Sequence, residues 1–287
     1  RSEPPHMTPL VDEHGRLGPK AAEDEAQPDL PPGAPGRGLT LRALLPNAIT
    51  AAAMCSGLTG IRFALSEDWG LAVAAIIFAG LLDGIDGRVA RLLNAQSRFG
   101  AELDSLADSL SFGTAPALII YLWTLNDIRL GWFAALALAV ACALRLARFN
   151  ARIDMDVQPH KSAGFLTGIP APVGAGLAFL PFYLWQTTGQ EIFREPLVVG
   201  PWVALIALLM ISNLATLSWG SLRPRRTIRL WVILLFGLLF AALLLEPWWT
   251  LVAISVGYLA TLPVGVLRYA RVKRQRAAAR ANPVANS

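Results

Sequence analysis

Eight apolar stretches, near residues 44–65, 70–87, 108–124, 131–147, 171–188, 198–218, 229–246 and 248–267, dominate this sequence. Each approaches the roughly 20 residues that a helix needs to cross the hydrocarbon of a bilayer. A bilayer offers no water to backbone N–H and C=O groups, so a chain with such runs must close its hydrogen bonds inside helices. With 54% hydrophobic and 16% charged residues, the chain carries more apolar surface than one soluble core absorbs. The expected fold class is an all-α polytopic membrane protein with eight spans, the second and third interrupted by acidic residues.

Before the first stretch, "TPLVDEHGRLGPKAAEDEAQPDLPPGAPGRG" is rich in Pro, Gly and acids and buries too little apolar surface to fold, so residues 1–37 are expected to form a disordered tail. Met7 is a candidate native start, with "RSEPPH" an added leader, and no apolar stretch before residue 44 resembles a cleavable signal. In "GLTLRALLP", Leu39, Leu41, Leu44 and Leu45 stand beside Arg37 and Arg42. Two readings fit that pattern: a short helix on the membrane surface, or the first turns of span one. Cys55 and Cys142 fall inside expected spans, where their small apolar character explains them without disulfide or metal.

The net charge is +5, but the basic residues gather beside span ends rather than on one folded face, which argues against nucleic acid as a partner. They alternate instead. The connections 88–98 (Arg88, Arg91, Arg98), 145–161 (Arg145, Arg148, Arg152, Lys161), 223–229 (Arg223, Arg225, Arg226, Arg229) and the tail from Arg268 to Arg280 are basic, whereas the intervening ones hold only Arg129 and Arg194. Basic connections stay in the cytoplasm, so both termini and the 88–98 connection are expected there, with the protein in the cell's inner membrane.

Four aspartates, Asp83, Asp86, Asp104 and Asp108, flank that cytoplasmic connection in "DGIDGRVARLLNAQSRFGAELDSLADSLSFG". An ionised aspartate in mid-membrane costs about 2.5–3.5 kcal/mol, so four uncompensated ones would cost on the order of 10 kcal/mol. Asp83 and Asp86 are spaced i, i+3, and Gly100, Asp104 and Asp108 are spaced i, i+4, i+8, so each set follows one helical face. The two faces can meet across a short turn. Clustered carboxylates repel unless protonated or shared by cations, and all-oxygen ligands suit hard divalent ions such as Mg²⁺ or Mn²⁺. Two such ions about 3.5–4 Å apart would make a phosphoryl-transfer site. Gly87, Ala90 and Gly100 remove side-chain bulk beside the acids, either to admit a nucleotide or to let helices approach closely. Arg91 can neutralise a diphosphate, while Arg88 and Arg98 read as topology determinants. Glu102 points away from the aspartate face.

The pattern D-x-x-D-G-x-x-A-R, eight residues, then G-x-x-x-D-x-x-x-D resembles the signature of the CDP-alcohol phosphotransferase family, and Asp83, Asp86, Gly87, Ala90, Arg91, Gly100, Asp104 and Asp108 fill its fixed positions. The resemblance covers roughly residues 44–220. It implies a six-helix membrane core, usually a homodimer, with Asp83, Asp86 and Asp104 holding two divalent metals and Asp108 both ligand and general base. It also implies that Asn47, Thr50, Gly87, Ala90, Arg91, Ser97 and Gly100 contact the nucleotide or diphosphate. Within the family, "FGAELDSLADSLSFGTAPALIIY", "ALRLARFN", "KSAGFLTGIPAPVGAGL" and "LLMISNLATLS" look like the membrane-type bacterial phosphatidylserine synthases, which join CDP-diacylglycerol to L-serine and commonly carry two further C-terminal spans. Ala215 departs from that subfamily, where a proline is more typical.

The expected organisation is a tail over 1–37, a juxtamembrane helix and six-helix core over 38–222, two added spans over 223–268 and a basic cytoplasmic tail over 269–287. Arg145, Arg148 and Lys161 are candidates for holding the serine carboxylate; snorkelling to the interface is the alternative for each. The expected activity is phosphatidyl transfer from CDP-diacylglycerol to serine with release of CMP. Its rivals are a family member using glycerol 3-phosphate or inositol phosphate, and a divalent-cation or proton-coupled transporter using the carboxylates as a relay.

Overall fold

The computed structural model describes residues 41–153, 165–212, 215–217 and 226–263. Helices form α1 (Leu41–Leu65), α2 (Trp69–Leu92) and α3 (Arg98–Asp108). A π-helical segment (Ser109–Thr114) then leads into α4 (Ala115–Trp123), followed by α5 (Gly131–Ile153). Beyond these come α6 (Ala171–Ala178), α7 (Leu180–Thr188), α8 (Pro196–Ile211), α9 (Arg226–Leu245) and α10 (247–263). Among the described residues, four helical stretches are long and apolar enough to cross a membrane: Leu44–Leu65, Trp69–Leu92, Arg98–Trp123 and Gly131–Ala151. The chain is an all-α polytopic membrane protein, as its apolar runs predict.

The helices pack as they do because small residues recur at steps of four and three. On α1 the buried row is Ala53, Gly57, Gly60 and Ala64. A Cβ at Gly57 would stand 2.7 Å from Ser111 Oγ, and one at Gly60 2.9 Å from the Ala72 carbonyl oxygen, so both glycines are demanded by close helix approach. On α2 the buried row is Ala72, Ile76 and Ala79, and the same steps continue to Asp83 and Asp86. The acids therefore sit on the inward stripe. Leu58, Leu71, Phe78, Phe133, Val140 and Leu208 point outward and are exposed. That distribution is untenable in water but ordinary against lipid chains.

The structure decides between the two readings of the start of span one and departs from the expected fifth and sixth spans. The helix starting at Leu41 runs unbroken to Leu65, with Pro46 inside it, so Leu41, Leu44 and Leu45 are first turns of span one. The fifth span is broken at Phe179, between α6 and α7, by Pro181, which has no N–H to give the Leu177 carbonyl. Trp202 Nε1 on α8 donates to that carbonyl instead, at 2.8 Å. The sixth span, expected over 198–218, leaves the helix at Ile211. Ala215–Leu217 then pairs antiparallel with Phe165–Thr167, a short two-stranded ladder that strand-free spans did not foresee. Gly168, at φ +75°, makes the adjoining turn possible, since a Cβ there would lie 2.7 Å from the Met210 carbonyl oxygen.

Candidate active site

The acidic faces of α2 and α3 are set against each other by the turn that joins them. Asn94, in the left-handed region at φ 49°, ends α2, and the Ala95 N–H donates back to the Ala90 carbonyl at 2.9 Å. Ser97 begins α3 as its N-cap, its Oγ accepting from the Gly100 N–H at 3.0 Å. Asn150 Nδ2 on α5 donates to Ser105 Oγ at 2.9 Å, steadying α3 beside Asp104. Directly after Asp108 the chain becomes π-helical, a form that clusters at functional sites.

Carboxylate oxygens of Asp83, Asp104 and Asp108 come within 4.8 Å of one another. Three carboxylate oxygens at such range, half-buried, match what a hard divalent ion requires. The donor set therefore fits the metal that the acidic pattern predicts. Asp86 stands apart from this trio. It is 3% exposed, and its Oδ2 accepts a hydrogen bond of 2.6 Å from Thr50 Oγ1. Arg145 on α5 lies close enough to Asp108 for the two charges to interact.

Beside the trio opens a cavity of about 280 Å³. Asn47, Thr50, Gly87, Ala90, Arg91, Ser97 and Gly100, the seven residues expected around the nucleotide, all line it. Asp86 and Asp104 line it too, so Asp104 belongs both to the cavity and to the carboxylate cluster. A Cβ at Gly87 would meet no atom within 4 Å, whereas one at Gly100 would lie 3.0 Å from Asn47 Oδ1. Gly87 thus keeps the cavity open, while Gly100 also serves close approach to α1.

A family model described as "CDP-alcohol phosphatidyltransferase" matches residues 43–219.

The chain belongs to the CDP-alcohol phosphatidyltransferase family.

A second family model, "CDP-alcohol phosphatidyltransferase 2", matches residues 227–263. A protein of Mycobacterium tuberculosis named CDP-diacylglycerol–serine O-phosphatidyltransferase is 36% identical over 230 residues, covering 80% of this chain and 80% of that protein. Proteins of the same name from Helicobacter pylori and Methanocaldococcus jannaschii are similar as well. The first is 31% identical, covering 69% of this chain and 81% of its own. The second is 36% identical, covering 56% of this chain and 69% of its own. Proteins of this family generally use divalent metal ions, in keeping with the aspartate cluster.

The remaining expected residues of this family member fall in different places. Arg148 Nη1 donates to the Ile211 carbonyl at 2.8 Å, capping the C-terminal end of α8. Lys161 lies outside the described residues. Glu102 is exposed, and Cys55 and Cys142 are free thiols, one exposed and one buried. Pro46, Ala95, Gln96 and Ala101 also line the cavity. Ala101 was legible from its place with Ser97, Gly100 and Asp104 on one helical face, and Pro46 from its place one turn before Thr50. No pattern in the sequence announced that Thr50 would bind Asp86.

Proposed function

We propose that this chain transfers the phosphatidyl group of CDP-diacylglycerol to L-serine, giving phosphatidylserine and CMP. The observation that carries the proposal is the joining, at Asp104, of a three-carboxylate cluster to a cavity lined by Arg91 and small residues. Relatives that share most of their length with this chain carry the corresponding name.

In this reading Asn47, Arg91, Ser97 and the open face at Gly87 receive the cytidine diphosphate. Asp83, Asp86, Asp104 and Asp108 would hold two divalent ions, magnesium or manganese, with Asp86 oriented by its bond from Thr50. Ions held there would offset charge on the diphosphate and the departing CMP. Asp108 accepts the proton of the serine hydroxyl as that oxygen bonds to the lipid-side phosphorus. The bond from this phosphorus to the bridging oxygen breaks, and CMP leaves with its own phosphate. Arg145, beside Asp108, offers the serine carboxylate a charge-assisted partner. Arg148 steadies α8 for that purpose.

We also infer a homodimer in the inner membrane, with the aspartates and both termini at the cytoplasmic face. The division into a core over 38–222 and an added pair of spans over 223–268 is supported by the separate family models on either side of residue 222. Purified protein supplied with CDP-diacylglycerol and Mg²⁺ should release CMP with serine and not with glycerol 3-phosphate or inositol phosphate. Release with either phosphorylated alcohol but not with serine would refute the acceptor assignment.

A further inference from the structure

Trp248, at the start of α10, packs where α2 begins. A Cβ at Gly70 would lie 3.7 Å from Trp248 Cζ2. The Trp248 ring also stands edge-on to Phe182 of α7, with centroids 5.4 Å apart, and stacks on Tyr183 at 6.3 Å and 27°. From this anchor α10 leads toward the carboxylate cluster. Leu251, Ser255 and Tyr258 of α10 share the wall of a second cavity, of about 280 Å³, with Gly80 of α2 and Phe112. Gly80 precedes Asp83 by three residues and Phe112 follows Asp108 by four, so each stands one turn from a clustered aspartate. At this end Tyr258 comes near enough to Arg145 of α5 for the two side chains to interact.

Arg145 is half-buried, and Asp108, the Cys142 thiol and Tyr258 lie near enough to act on it. Its Nε is buried and has no hydrogen-bond partner among the described residues, so that edge of the guanidinium does not fix how the fork is turned. A guanidinium recognises a carboxylate through two parallel bonds, and the gain depends on holding the fork in one plane. Of the three neighbours, Asp108 is assigned to metal and proton, and a thiol is a weak acceptor. The phenol oxygen of Tyr258 is a neutral acceptor. It can orient the fork and still leave the positive charge to a ligand, whereas a carboxylate in its place would consume that charge. A tyrosine is also ordered at low entropic cost, having two side-chain torsions.

We propose that Tyr258 is a positioning residue for the acceptor, holding the Arg145 guanidinium toward the space beside Asp108 where the serine carboxylate binds. The inference rests on the phosphatidyl-transfer reading above. Tyr258 acts on the substrate through Arg145, and it comes from the stretch 227–263 that the second family model matches. The added C-terminal helices thereby take part in acceptor selection as well as in anchoring.

Tyr258→Phe removes the oxygen and keeps the ring that packs against the core. In the purified full-length protein it should raise the KM for serine about tenfold, roughly the loss of one hydrogen bond to a charged group. The KM for CDP-diacylglycerol, and kcat at saturating serine, should stay within about twofold. Tyr121→Phe makes the same change beside Trp132, at 5.1 Å between centroids, and should alter none of these constants. In an Arg145→Lys background the planar fork is already lost, so Tyr258→Phe should add less than about twofold. A tenfold effect in both backgrounds, equal rises of the two KM values, or an unchanged KM for serine would overturn the proposal.

A second readout does not depend on turnover. The chain has four tyrosines, so protein labelled with meta-fluorotyrosine gives few fluorine resonances, and the one lost in Tyr258→Phe belongs to Tyr258. That resonance should move on Arg145→Lys and stay in place on Arg129→Lys, an exposed residue between α4 and α5. A Tyr258 resonance indifferent to Arg145→Lys would also overturn the proposal. A resonance that responds to Arg145 in protein that releases CMP with no acceptor alcohol would instead overturn the transfer reading and uphold the positioning of Arg145 by Tyr258.

Discussion

Thr50 and Asp86 show how one hydroxyl can give a buried acid a partner inside a membrane protein. Asp86 is nearly inaccessible, and its Oδ2 accepts a hydrogen bond of 2.6 Å from Thr50 Oγ1. Hydrogen bonds to charged groups contribute about 1.5–3 kcal/mol, so Thr50→Val should weaken CDP-diacylglycerol binding about tenfold while the protein still folds. Calorimetric titration of the purified variant checks this, and unchanged affinity would mean that Asp86 does not serve the donor site. Arg145 poses a different question, because its charge alone is not what a carboxylate recognises. Arg145→Lys keeps the charge but loses the planar fork, so the KM for serine should rise more than that for CDP-diacylglycerol. Equal rises in steady-state kinetics would assign Arg145 to the general structure of the site.

Elements here are joined by groups that a proline or a small residue leaves available. Pro181 breaks the fifth span and frees the Leu177 carbonyl, which Trp202 then satisfies from α8. Trp202→Phe preserves the ring but strands that carbonyl, and should lower the free energy of unfolding by about 1–3 kcal/mol, read from the detergent-unfolding midpoint. Since Trp202 is remote from the aspartates in sequence and lines neither cavity beside them, kcat should not change; a fall in kcat without loss of stability would contradict this account.

How much of this was legible depended on the range of the interaction that decides each feature. The helices and the acidic face were legible because helical periodicity is local: Asp104 and Asp108 share a face wherever α3 sits. Of the seven cavity residues, Gly87, Ala90, Arg91 and Gly100 are fixed positions of a motif whose spacing spans the turn between α2 and α3, while Asn47, Thr50 and Ser97 followed from the family resemblance. The break at Phe179 was hinted at by Pro181, but its repair by Trp202 joins residues 25 apart in sequence. The strand pair joins Phe165 to Leu217, and residues three long carry no alternation strong enough to announce a strand. The bond from Thr50 to Asp86 was hidden for a like reason, since it joins residues 36 apart.

At the scale of the whole molecule, the alternation of basic connections predicts which ends of the helices face the cytoplasm. In a background lacking the exposed Cys55, Ser97→Cys and Ser221→Cys should be protected from a membrane-impermeant thiol reagent added to intact cells, and Gln190→Cys should be labelled. Labelling of Ser97→Cys from outside would reverse the orientation and put the aspartates on the wrong side for a cytoplasmic nucleotide.

The central claim is that one row of carboxylates divides its labour, Asp83 holding metal and donor while Asp108 takes the proton. The measurement that tests it most directly pairs metal-dependent binding of CDP-diacylglycerol with CMP release at saturating serine, for the purified Asp83→Asn and Asp108→Asn variants. Asp83→Asn should lose both binding and turnover. Asp108→Asn should retain much of the metal-dependent binding yet release no CMP, because an amide cannot accept the hydroxyl proton. Near-normal turnover by Asp108→Asn would contradict the account.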